Sequence, residues 1–378
     1  MNQPKKILLL CSASHSLKNF RGDLIKHFIA NNYEVYCGGP DFDEISLQDV
    51  KDLGGTPVSF NLQRTGVNPL KDYRSIDELK NILEKHKIDL LFPYTIKPVI
   101  YGSFAAKKIN IPVVSLITGL GFTFSKVTFK AQLLQLITQI LYRRALKKNK
   151  AIVFQNKDDL QLFLDNKIVT NNQSLHVVNG SGINLDRFSF TPKTKSNQDG
   201  VKFVIVGRLL KEKGFQYFMN AAKQLKSAYP KAEFHIIGGV PGNNSSAISK
   251  SELNDLNTQG IIIYHGVTHN VPELISQMDV FVLPTYYREG VPRSILEALS
   301  TGLPVITTNT PGCKETVIEN VNGFLIPPKD EENLVKALKK FLDNPKVINK
   351  MSIESRKLAE VKFDVNIINR ELLKIIET

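Results

Sequence analysis

The sequence predicts an α/β fold of two doubly wound domains, and three observations carry that prediction. Short apolar runs alternate with amphipathic segments along the whole chain, the pattern of parallel strands covered by helices on both faces. The alternation lapses once, over residues 188–200 (FSFTPKTKSNQDG), a polar stretch with Pro and Gly and no periodicity, which reads as a linker. The residues with chemistry in them fall in loops that follow apolar runs, where open parallel sheets bind their ligands. The expected division is residues 1–190 and 200–360 as the two domains, with 361–378 a closing helix.

In the first domain, strands are expected at 7–11, 34–38, 89–93, 113–117, 151–154 and 175–178. Helices fit between them at 20–30, 75–86 and 99–109, with a long one inside 126–148. In the second, strands are expected at 203–207, 234–238, 261–264, 280–284, 305–308 and 323–326, again with helices between. A helix at 334–342 and a helical pattern over 348–376 complete the chain.

Composition bounds the function. A chain of 378 residues, 42% hydrophobic and 22% charged, suits one large or two medium globular domains. Three scattered cysteines, Cys11, Cys37 and Cys313, make neither a disulfide framework nor a zinc site, and they suit a reducing, cytoplasmic setting. The N-terminus runs straight into a first core strand and does not read as a secretory signal. No stretch approaches the ~20 apolar residues of a membrane span. The net charge of +13 is uneven: residues 101–150 hold nine basic residues and no acid. Such a field implies an anionic partner, whether nucleic acid, a diphosphate substrate or an anionic lipid surface. Nucleic acid is disfavoured, because the basic stretch lacks interleaved aromatics and no reading motif is present. Within 126–150, Leu133, Leu134, Ile137, Ile140, Leu141 and Ala145 recur at helical spacing, with Lys126, Lys130, Arg143, Arg144, Lys147 and Lys148 around the ends. This is either a core-packed helix with basic ends or a face that docks on the anionic inner-membrane surface.

Residues 279–306 (DVFVLPTYYREGVPRSILEALSTGLPVI) read as strand, loop, helix, turn and strand. Pro292 suits the first helical position, where its missing N–H costs nothing. The N–H groups of Val291, Arg293 and Ser294 would then point out of the helix's positive end, toward an anion or a sugar hydroxyl. Glu289 stands just before that end, beside Gly290, and Glu297 lies eight residues on, inside the helix. One carboxylate at the mouth and one deeper suits a ligand with two polyol portions flanking a phosphate, such as a nucleotide sugar. Alone, either glutamate would be an ordinary solvated side chain.

A second post-strand loop, FVIVGRLLKEKG from residue 203 to 214, places Arg208 and Lys213 after Gly207. Two cations there can neutralise a diphosphate leaving group. With them available no metal is required, and the Asp41-Phe42-Asp43 triplet is expected to be loop chemistry. The loop of residues 311–316 (PGCKET) is expected to shape the cleft, whereas residues 238–242 (GGVPG) lack dinucleotide-fingerprint spacing. In the first domain, Asn19 and Arg21 lie near a helix start, Lys97 in the turn after a strand, and Thr118 and Gly119 in a Gly-rich turn.

The Glu289-x7-Glu297 pattern, with its flanking strands and the G-R-x4-K-G spacing of Gly207 to Gly214, resembles retaining glycosyltransferases of family 4 with the GT-B fold. That resemblance implies two Rossmann-like domains facing a cleft, the last helix packing back on the first. It implies Glu289 at the donor sugar, Glu297 on the ribose hydroxyls, Arg208 and Lys213 on the diphosphate, and Val267 against the base. The nearest branch builds bacterial surface glycans. It implies a UDP-sugar as donor, often an N-acetylhexosamine, and a polyprenyl-diphosphate-linked saccharide as acceptor, bound through Asn19, Arg21, Lys97, Thr118 and Gly119. Many members carry a His where Thr118 stands here, which puts a His-assisted step in doubt. A nucleotide-sugar 2-epimerase on the same architecture is the alternative, and it leaves the basic 101–150 region unexplained.

Overall fold

The structure is a computed structural model that describes residues 3–63, 69–121, 129–242, 244–268 and 270–378, without the side chains of 69–71 and 129–131. The chain forms two compact units, residues 1–181 with 365–378, and residues 182–364.

The first unit is a parallel sheet with helices packed on it. Strands β1 (Lys5–Leu10), β2 (Tyr33–Gly39), β3 (Thr56–Ser59) and β4 (Leu90–Pro93) pair in the order β3-β2-β1-β4. Strands β5 (Val114–Ile117), β6 (Ala151–Phe154) and β7 (Leu175–Val177) continue the series, tied to β4 through the Leu91–Val113 and Tyr94–Leu116 bridges. β1 is buried along Ile7 to Leu10 because helices cover both its faces, so its sequence is a continuous apolar run rather than an alternation. Helix α1 (His15–Ala30) begins five residues before the expected start. Helices α2 (Glu44–Asp52), α3 (Pro69–Lys85), α4 (Ile96–Lys108), α5 (Phe129–Leu146) and α6 (Lys157–Asp165) follow.

The second unit has strands β8 (Lys202–Val206), β9 (Glu233–Ile237), β10 (Ile263–Gly266), β11 (Val280–Leu283), β12 (Val305–Thr308) and β13 (Gly323–Ile326). They form one parallel sheet in the order β10-β9-β8-β11-β12-β13, the doubly wound order. Helices α7 (Phe215–Lys226), α8 (Lys250–Thr258), α9 (Val271–Ser276), α10 (Arg293–Thr301), α11 (Glu331–Asp343) and α12 (Val347–Leu358) connect them. The strand order reverses between β8 and β11, the place beyond the strand ends where open parallel sheets bind their ligands.

Two boundaries differ from the sequence reading. Residues 182–190 side with the second unit rather than the first, because Ile183 and Phe188 are buried in its core. The helical pattern over 348–376 is broken: after α12 the chain makes a wide π turn over Ala359–Phe363 and an extended step at Asp364. Ala359 and Phe363 fill the second core, and helix α13 (Val365–Glu377) then belongs to the first unit. There Ile368, Leu372 and Ile376 join the core beneath β1, beside α1, and Lys150 donates to the Ile376 carbonyl at 2.8 Å.

Candidate active site

The crevice of the second unit is built by the loops after β8 and β11. After β8 the chain passes Gly207 and Arg208, anchors itself with buried Leu209 and Leu210, and closes a 3-10 turn over Lys211–Lys213. That turn is fastened to the other loop: the Glu212 carbonyl accepts the Tyr286 N–H at 2.9 Å and the Thr285 hydroxyl at 2.9 Å. Gly214 makes the approach feasible, since a β-carbon there would lie 2.3 Å from the Pro284 carbonyl oxygen and its φ is +83°. The result is a direct ion pair between Lys213 Nζ and Glu289 Oε1, with side chains only 16% and 14% exposed. Arg208, on the same loop, is exposed, and its guanidinium makes no hydrogen bond or ion pair among the described residues.

A third loop backs Glu289. After β12, Gly312 lies directly against residues 289 and 290, and a β-carbon there would fall 1.4 Å from the Gly290 carbonyl oxygen. Beneath them sits a buried hydroxyl cluster. Thr308 donates to the Thr285 carbonyl at 2.5 Å and stands 2.9 Å from the Thr310 hydroxyl, and Thr307 donates to the Leu283 carbonyl at 2.8 Å. The Cys313 thiol is fully buried there, and burial, together with the nearby Glu289 charge, pushes it up to about 11. Sequence reasoning gave residues 311–316 a shaping role without finding this contact. The signal was the Pro-Gly pair at a strand end.

Helix α10 carries the second glutamate. Pro292 is its N-cap, one residue before the expected first helical position: its ψ of 119° is extended, and its carbonyl already accepts from Ile295 and Leu296. Buried Ile295, Leu296, Ala298 and Leu299 hold the helix on the sheet, and Val291 is buried just ahead of it. Ser294 sits in the first turn, whose amides have no intrahelical acceptor. Glu297 lies one turn in, its Oε1 3.4 Å from Arg293 Nε. Burial pushes its carboxyl above the ordinary range, against the pull of the Arg293 and Arg187 guanidiniums. The Arg293 side chain also reaches the Gly182 carbonyl at 3.3 Å, so it pairs within the protein as well as offering its backbone. Arg187 was not singled out in the sequence, because nothing local marks it.

Val267 stands farther along the row, in the loop after edge strand β10, and is 76% exposed. Its loop connects to the β8 loop through Gly238, whose N–H donates to Gly266 while Gly207 donates to Ile237. Thus Lys213 and Glu289 meet, with Gly207 and Arg208 preceding the first on the β8 loop, Gly290, Val291, Pro292, Arg293, Ser294 and Glu297 following the second into α10, and Val267 on the loop after β10. His269 lies outside the described residues.

The first unit assembles its residues less completely. Asn19 and Arg21 do not share a surface. Because α1 starts early they sit in its second turn, Asn19 exposed and Arg21 3% exposed with its guanidinium 5.2 Å from the Tyr94 ring centre. Lys97, near the start of α4, donates to the Gln63 carbonyl at 2.6 Å and lies 3.4 Å from Asp72, so its charge is matched internally. Thr118 and Gly119 follow β5 as expected, but most of their turn lies outside the described residues. Thr95 was missed: it takes φ +70° and ψ 159°, a region costing about 1–3 kcal/mol for a non-glycine residue, and its hydroxyl donates to Ser12 at 3.0 Å. The Asp41-Phe42-Asp43 triplet is spent on structure. Asp41 accepts from the Ser14 N–H at 2.7 Å, and Asp43 caps α2 in a capping box with Ser46.

On α5, Leu133, Leu136, Ile137 and Ile140 are exposed at spacings of three and four residues, while Tyr142, Ala145 and Leu146 are buried. Arg143 donates to the carbonyls of Lys167 and Asn166, and Arg144, Lys147 and Lys148 face outward. Lys126 and the Lys130 side chain lie outside the described residues. Among the described residues no helix is long and apolar enough to cross a membrane.

Comparison with known proteins gives the family. Residues 6–156 match the family described as glycosyl transferase 4-like, and residues 186–358 match glycosyl transferases group 1. The chain is 29% identical to the N,N'-diacetylbacillosaminyl-diphospho-undecaprenol alpha-1,3-N-acetylgalactosaminyltransferase of Campylobacter jejuni, over 98% of each chain. It is also 29% identical to the UDP-Gal:alpha-D-GlcNAc-diphosphoundecaprenol alpha-1,3-galactosyltransferase of Escherichia coli, over 77% of this chain and 75% of that one. Its fold is similar to that of Anabaena Alr3699/HepE, solved in complex with UDP, with a TM-score of 0.79 at 17% identity over 98% and 99% of the two chains. With one family covering each half and the doubly wound sheet present in both units, the chain belongs to the GT-B glycosyltransferases, joining a glycosyl transferase 4-like domain to a group 1 domain.

Proposed function

We propose that this enzyme moves a sugar, an N-acetylhexosamine by preference, from a UDP-sugar to a polyprenyl-diphosphate-linked saccharide with retention of configuration, in bacterial surface glycan synthesis. The observation that carries the donor half is the meeting of Lys213 and Glu289 at the strand-order reversal of the second unit. In this reading Arg208 and Lys213 neutralise the diphosphate, Glu289 accepts from donor-sugar hydroxyls, Glu297 accepts from the ribose, and Val267 rests against the base. The amides of Val291, Arg293 and Ser294, with Gly207, Gly290 and Pro292 giving the backbone its close approach, complete the donor pocket. As the bond from the sugar's anomeric carbon to the diphosphate breaks, the acceptor hydroxyl attacks from the same face and its proton passes to the departing phosphate oxygen. Stabilising that developing charge with preorganised cations is the dominant contribution this site can make.

The acceptor half rests on the two relatives, whose names specify undecaprenol-linked substrates, and on the loops after β1 and β4. We place the acceptor at the first unit's own strand-order reversal, between Ser12 and the strained Thr95, with Lys97, Thr118, Gly119 and Asn19 around it. Buried Arg21 acts there through Tyr94. The domain roles follow: residues 1–181 for the acceptor, 182–364 for the donor. The epimerase reading draws no support from these relatives, which are transferases. Incubating the protein with UDP-sugars, with and without a membrane lipid extract and with EDTA present, tests the proposal. Lipid-dependent UDP release and a lipid-linked product are expected to survive the chelator, whereas lipid-independent conversion of the UDP-sugar would overturn it.

A lipid-linked acceptor places the work at a membrane surface, and α5 suits peripheral docking there on the cytoplasmic face. Its exposed aliphatic stripe can enter the interface while Arg144, Lys147 and Lys148 meet anionic headgroups, each worth about 1 kcal/mol. The protein is expected to sediment with anionic vesicles and to be released by salt. Replacing Leu136 and Ile137 by Ser should weaken this binding without altering UDP affinity.

A further inference from the structure

The two cations of the donor loop differ in a way that has a functional reading. Arg208 is exposed and unpaired among the described residues, whereas Lys213 is held by Glu289 with both side chains largely withdrawn from water. A half-buried ammonium that already has a carboxylate partner cannot serve a diphosphate at full strength until that partner lets go. Nor can the pair separate by backbone movement. Glu212 fastens the Lys213 turn to Tyr286 and Thr285, and the residue-312 loop seats against Gly290. Only the side chains are available to move.

Resting on the donor-site reading above, we propose that the Lys213–Glu289 ion pair is a lock on the empty donor site, exchanged for a Lys213–diphosphate pair when the nucleotide binds. Arg208 makes the first capture. Lys213 then transfers from carboxylate to phosphate, and the same event releases Glu289 to accept from the sugar. After transfer the exchange runs backward: Glu289 recaptures Lys213 and loosens the nucleoside diphosphate. The acid at the sugar is therefore also the competitor that sets nucleotide release.

The test is a double-mutant cycle on UDP affinity, measured by calorimetry with uridine as the control that lacks phosphate. Glu289→Gln is expected to bind UDP about five- to tenfold more tightly, the size of one partly buried ion pair, with uridine binding unchanged. In a Lys213→Met background the same Gln substitution should change UDP affinity less than about twofold. Glu289→Ala, which adds no amide, should also tighten UDP, and thermal melting will confirm that each variant is folded. An equal gain with and without Lys213 would reveal diffuse charge repulsion and overturn the lock, as would unchanged or weaker binding in both Glu289 variants. If Lys213→Met itself leaves UDP affinity untouched, the donor-site reading beneath the proposal fails instead.

Discussion

The loops after β8 and β11 can be set beside those after β1 and β4. Each pair leaves neighbouring parallel strands where the strand order reverses, so the scaffold opens the same kind of crevice twice. The contents differ. In the second unit the crevice has an ion pair, an unpaired arginine and glycine-mediated contacts between loops. In the first it has hydroxyls, a strained Thr95, and a lysine neutralised by Asp72 outside the crevice's own loops. The lesson is that topology fixes where a site can be, and a few loop residues decide which charge it accepts.

The sharpest way to break this comparison is to make one change on each side. Lys213→Ala is expected to lower transfer by about 10²–10³, while Lys97→Ala costs far less in turnover and shows mainly in the acceptor KM. Equal losses in kcat would mean that the two crevices do not divide the labour. Next comes the loop packing that only the second unit has. Gly312→Ala places a β-carbon where the Gly290 carbonyl sits, and moving it is expected to destabilise the fold by about 1–3 kcal/mol in chemical unfolding. Turnover should fall further than donor KM rises, because Glu289 shifts with the strand of chain it belongs to; an unchanged melting temperature and kcat would show that the loop yields freely.

The smallest effect is expected from pH. The Glu297 carboxyl is raised by burial, so its folded form gains a proton at higher pH than the unfolded chain does. Its contribution to stability is therefore most favourable in acid and declines as pH rises from the ordinary carboxylate range through its raised value. Function runs the other way, since a protonated Glu297 loses acceptor capacity for ribose. Donor KM should rise on acidification, beginning above the usual carboxylate range, and Glu297→Gln should flatten the profile. A profile unchanged by that substitution would assign the titration elsewhere.

Much of this was readable in the chain. The core strands announce themselves as apolar runs because helices cover both faces of each sheet, and Glu289 and Lys213 were findable because they stand next to strand ends. Three elements of the first unit escaped. β3 is four residues containing a proline, α2 buries only Ser46 and Val50, and α6 buries only Asp159 and Phe163, so none generates a clear period. Arg21 was misplaced because Leu17 is the one apolar residue among 15–18 and sets no period at the start of α1, and because an arginine stacked on a buried Tyr94 looks in sequence like any exposed arginine. Gly312 and Glu212 matter through residues far away in the chain. No local pattern encodes a carbonyl that must find empty space opposite it.

The return of α13 bears on how the polypeptide matures. Residues 182–364 are continuous and can close their core as soon as they have left the ribosome, whereas the sheet begun at Lys5 waits for Ile368, Leu372 and Ile376, which are translated after them. The part made first is thus the part finished last, leaving an apolar flank uncovered throughout synthesis. Losing residues 365–378 would cripple the unit whose strands precede them by almost two hundred residues or more.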